Sequence, residues 1–70
     1  MPTLAEQALD LAAQLEREAA RHQRKYENSA MTDETERWMF GETRADMAVR
    51  ERRQAKAARG AARDLARIGL

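Results

Sequence analysis

Apolar or ring-bearing residues recur early in the chain at Leu4, Ala8, Leu11, Leu15, Ala19, His22 and Tyr26. The steps alternate between three and four residues, the spacing that lines one face of an α-helix. At 100° per residue they fall within a stripe of roughly 80°. Glu6, Asp10, Arg17 and Arg24 lie opposite. Thr3-Leu4-Ala5-Glu6 reads as a capping box, in which Thr3 and Glu6 each satisfy the other's free backbone amide. The pattern predicts a helix over about 3–27.

Asn28-Ser29-Ala30-Met31 is polar and without period, which predicts a turn over 28–32. Thr32-Asp33-Glu34 then offers a second start, a capping residue followed by acids that suit the positive end of a helix. From there the chain is helix-forming to about residue 68, interrupted by Gly41 and Gly60. Gly41 has two readings. It can cap a short helix ending at Phe40, with Thr43-Arg44-Ala45-Asp46 starting a third. Or a helix runs through it, kinked there, at about 1 kcal/mol relative to alanine. A two-residue connection leaves little room for a sharp reversal, so one long helix over about 33–68 is favoured. Gly60 is read as tolerated within that helix or as the start of fraying. No period-2 alternation marks a strand. The expected fold is all-α: a helical hairpin with a shorter first and a longer second helix, assembled into a bundle with itself or with a partner.

On the second helix Phe40, Met47, Ala55, Ala58, Ala62 and Leu65 share a face. The small residues from Ala55 to Ala62 suit close approach by helix 1 or by a symmetry mate. Glu51 sits mid-face with Arg44 two turns away, so its charge must be paired or left at a rim.

Composition limits what such a fold can do alone. Seventy residues make one domain at most, and chains of this size hide only about 60% of their unfolded surface. Fifteen alanines supply much of the 43% hydrophobic fraction, and alanine favours helix while burying little area. With no cysteine, disulfide staples and cysteine-based zinc sites are excluded. Unstapled chains of this length usually need idealised packing or a partner, which predicts a homo-oligomer or a complex with another protein. No uncharged run exceeds five residues, which excludes a membrane-spanning helix. No apolar stretch after Met1 marks a secretory signal, so the expected location is cytoplasmic.

Net charge is only +1 but uneven, from −3 over residues 1–20 to +5 over 47–70. Arg52, Lys56, Arg59, Arg63 and Arg67 step by three and four residues along one side of the second helix. Such a stripe suits nucleic-acid phosphates or an acidic protein surface. It equally suits a plain solvated face or pairing with acids of another subunit. No aromatic follows Phe40 to stack on bases.

Trp38-Met39-Phe40 is the densest apolar cluster, and three consecutive helical positions point three ways. One or two of them suit the core at the hairpin's end, beside Tyr26 and Met31. The remainder, with Met47, are candidate partner-binding residues, since Trp, Met and Phe are enriched at interface centres. Catalytic machinery is missing: one histidine, no cysteine, no glycine-rich phosphate loop. His22 lies one turn from Glu18, a pair able to hold a metal, but a lone histidine on an inner face is more often packed and hydrogen-bonded. No metal, cofactor, small-molecule substrate or membrane is expected. The sequence therefore predicts a non-enzymatic interaction protein that binds and modulates a larger protein and associates with itself. The alternative is a nucleic-acid-binding regulator using the basic stripe.

Overall fold

A computed structural model describes residues 1–70. It is all-helical, with α1 over Leu4–Glu27, α2 over Asp33–Phe40 and α3 over Arg44–Arg67. Each helix begins with a threonine cap. Thr3 and Glu6 form the full capping box at α1. The Thr32 hydroxyl accepts from the Thr35 amide at 3.1 Å to start α2, and the Thr43 hydroxyl accepts from the Asp46 amide at 3.1 Å to start α3. These bonds satisfy amides that a helix start would otherwise leave unpaired. No helix is long and apolar enough to cross a membrane.

The second helix is broken where continuity was expected. Gly41 has φ 82° and ends α2 as a left-handed cap, its amide donating to the Arg37 carbonyl at 2.9 Å. That conformation is open to glycine at little cost. Two further contacts hold the break. Thr43 caps α3, and Arg44 reaches back across it to Glu36, Nε to Oε1 at 2.8 Å. Gly60, by contrast, lies inside α3 as ordinary helix.

α1 and α3 are each 24 residues long and pack against one another, antiparallel, into a rod 47 × 15 × 15 Å. Three contacts fix the register: Ala5 N to Leu70 O, Glu16 to Arg59, and His22 to Glu51. Under it Ala12 lies opposite Ala62, and Ala19 opposite Ala55. The seam is made of alanine. Ala5, Ala12 and Ala19 on α1 and Ala48, Ala55 and Ala62 on α3 are the buried apolar residues. Each set repeats every seven residues, the period that keeps one seam facing a partner helix. Methyl side chains allow two helix axes to approach closely.

This seam corrects the reading of the first helix. The stripe expected to face the partner is off-centre: its Ala19 is buried in the seam and Leu15 half-buried, while Leu4 and Leu11 are each 50% exposed. The alanines one position away from them take the contact. The expectation that Ala55 to Ala62 admits a close neighbour holds, with α1 as that neighbour.

Candidate interaction surfaces

The end of the hairpin carries α2 and is tied by polar side chains. Glu36 is fully buried, the largest side chain so enclosed. Its Oε1 accepts from Arg44 Nε and from the Arg44 amide at 3.2 Å. Its Oε2 has no partner. The Arg44 guanidinium also lies 5.3 Å from the centre of the Phe40 ring, within cation–π range. On the other flank the Tyr26 hydroxyl donates to Asp33 Oδ1 at 2.9 Å. That hydrogen bond to the Asp33 carboxylate raises the Tyr26 pKa above 10.0, and the charge of Asp33 adds to the shift. α2 is thus pinned to α1 through Asp33 and to α3 through Glu36.

The four predicted partner-binding residues separate into two pairs. Trp38 is 85% exposed and Met39 is exposed beside it. Phe40 and Met47 instead line a hollow of about 280 Å³ with His22, Lys25 and Arg44. Placing one or two of Trp38, Met39 and Phe40 in the core was incorrect, since all three remain exposed. The buried space at that end is taken by Glu36 and Thr43 instead.

The basic stripe lies along one side groove. Arg52, Lys56 and Arg59 line about 340 Å³ of it with Glu16 and Ala20. Arg59 and Arg63 line its continuation with Ala5, Leu9, Ala62 and Ala66. Arg59 is partly neutralised by Glu16, with Nε at 2.7 Å and Nη2 at 2.6 Å from the same carboxylate oxygen. Arg67 lies 3.9 Å from Asp64, with both side chains largely in solvent. Arg52, Lys56 and Arg63 have no carboxylate within ion-pair distance. All five side chains are exposed.

The opposite side of the hairpin holds Glu18, His22 and Glu51, each with a donor atom within 4.8 Å of the other two. His22 Nδ1 lies 2.6 Å from Glu51 Oε1, and Glu18 Oε1 lies 2.8 Å from Arg21 Nη1. The donor types suit a borderline divalent cation, yet each already has a protein partner. The trio forms a polar layer beside the alanine seam. Glu51 is therefore paired within the chain rather than left at a rim. The sequence pointed to Glu18 and His22, four residues apart on one helix. It could not point to Glu51, whose place depends on the register of α1 against α3. Glu36 was missed as well: nothing local sets it apart from the other acids of that first turn, and its partner Arg44 lies across the bend. No protein-family model matches the chain, and no curated protein or solved structure matches it either.

Proposed function

We propose that the chain is a non-enzymatic helical interaction protein that binds and modulates a larger protein and associates with itself. The observation that carries the reading is Trp38, 85% exposed on a helix pinned at both flanks. A tryptophan left in water on a helix tied to both neighbours by side-chain bonds is an anchor lacking its pocket, since large aromatics dominate interface energetics. Because the segment bearing the anchor is already helical, docking avoids the entropy cost of forming that helix. Met39 adds a flexible apolar contact beside it.

The test is affinity capture with the intact chain, comparing wild type with the Trp38→Ala/Met39→Ala double variant. Binding of a captured protein should weaken by about 30-fold or more in the double variant, the size expected of a hot spot. Equal retention by both chains would end the anchor assignment.

One observation favours a second reading, binding to nucleic acid. Arg52, Lys56 and Arg63 project from one side of α3 with no carboxylate partner of their own. Light-scattering mass with a short duplex at low salt tests it. A complex that dissolves as salt rises, and that Arg52→Glu with Arg63→Glu abolishes, would put the stripe at the centre of the function.

A further inference from the structure

The hairpin closes its seam with alanines and leaves leucine surface uncovered on its flank: Leu4 and Leu11 are exposed, Leu15 and Leu65 half-buried. Leu4, Leu11 and Leu15 sit on the flank of α1 that carries His22. Taking Ala12 as the inward direction, they point roughly 60–100° to one side. Ala58, Ala61 and Leu65 occupy the matching flank of α3, the side of Glu51. The His22–Glu51 contact shows that the two flanks share one side of the rod. The other side is the arginine-lined groove, marked by the Glu16–Arg59 pair.

The exposed area is large for the mass. A compact monomer of 8.0 kDa exposes about 4,450 Å², whereas this chain exposes 5187 Å². The excess, about 700 Å², belongs to the rod as a whole, in which two helices pack with no second layer to cover their flanks.

We infer that the Leu4–Leu11–Leu15 flank, with Ala58, Ala61 and Leu65, is the interface through which two copies of this chain form a four-helix bundle. This rests on the self-association part of the proposed function and names its face. The occupant follows from the shape of the patch. A ridge of leucines on α1 lies beside a stretch of α3 that bears only methyl groups at positions 58 and 61. A two-fold axis lays the ridge of one copy over the small residues of the other, and an interface of this kind must be self-complementary. No charged residue stands among these six. The second copy supplies the second layer that one hairpin lacks, and the leucines become the bundle core.

The test pairs two leucines on the same helix. Leu11 lies on the proposed interface and is 50% exposed, while Leu9 faces the basic groove and is 47% exposed. Wild type should elute with a light-scattering mass twice the 8.0 kDa of the chain. Leu11→Glu should raise the dimer dissociation constant on the order of 100-fold or more, since two buried leucines are lost per dimer. Leu9→Glu should leave the mass at the dimer value. If Leu11→Glu loses its helix content, Leu11→Gln repeats the comparison without a charge. A monomeric wild type overturns the inference. So does an undisturbed dimer in the Leu11 variants, or equal dissociation by Leu9→Glu. Trp38→Ala should keep the dimer, so loss of capture without loss of mass reports on the docking reading alone.

Discussion

At the scale of single residues, the same substitution should act in opposite directions at two glycines. Gly41 needs a positive φ, and a Cβ there would meet nothing within 4 Å. Gly41→Ala therefore tests backbone strain alone and should destabilise the chain by about 1–2 kcal/mol. Gly60 lies within α3 and is equally free of steric neighbours. Gly60→Ala should stabilise it by about 1 kcal/mol through helix propensity. Urea midpoints on the two variants give both signs in one experiment. Tyr26 adds a pH signature. Its pKa is raised because neutral phenol donates to the Asp33 carboxylate. The stabilising contribution is thus complete below the unfolded value of 10.0 and is lost as pH rises through the higher folded value. Ultraviolet titration of the phenolate should show a midpoint above 10.0, returning toward it in Asp33→Asn. Glu36 is the most demanding residue. Removing a buried charged partner typically costs about 3–5 kcal/mol, and Glu36→Ala also strips the Arg44 amide of its acceptor. Circular dichroism should show a strongly lowered melting temperature for that variant.

At the scale of helices, starts were legible and packing faces only partly so. A cap is set by four consecutive residues, so Thr3 and Thr32 announce their helices without knowledge of the fold; Thr43 carried the same signal, but the favoured reading ran one helix through it. Gly41 was readable as a cap or as a kink because both use the same residue. The choice depends on Glu36 and Arg44 meeting across the bend, which no local pattern encodes. Periodicity found the apolar side of α1 but not its centre. Leu4 and Ala5, or Leu11 and Ala12, differ by one residue, and a stripe that includes leucine and alanine alike does not say which edge meets α3. Size decides it: two helices packed side by side come closest where side chains are smallest. Ala12→Leu should force the seam apart and cost about 1–3 kcal/mol by overpacking, although leucine is the more hydrophobic residue. Chemical denaturation would show it; a stabilised Ala12→Leu chain would mean that the axes are not held close by the methyl seam.

At the scale of the whole molecule, Leu70 meets Ala5 at one end of the rod and α2 caps the other. The exposed leucines begin near the first end and Trp38 stands at the second, on a body 47 Å long. Function was least legible at this scale, because exposure is a property of the assembled hairpin. In the sequence, Trp38, Met39 and Phe40 read as partly core and partly partner-binding, and only the assembled hairpin shows all three exposed. The separation of the two ends also governs how tightly the molecule could hold a target. If copies join near the ends where Leu4 lies, each assembly offers two Trp38 knobs, and a target displaying two or more docking pockets could be gripped at both. The second grip is then an intramolecular event at high local concentration, so overall avidity can exceed a single contact by 100-fold or more, about the range known for linked sites. A modest pocket for one tryptophan would then suffice for long residence on a repetitive target, and a target with a single pocket would be released quickly.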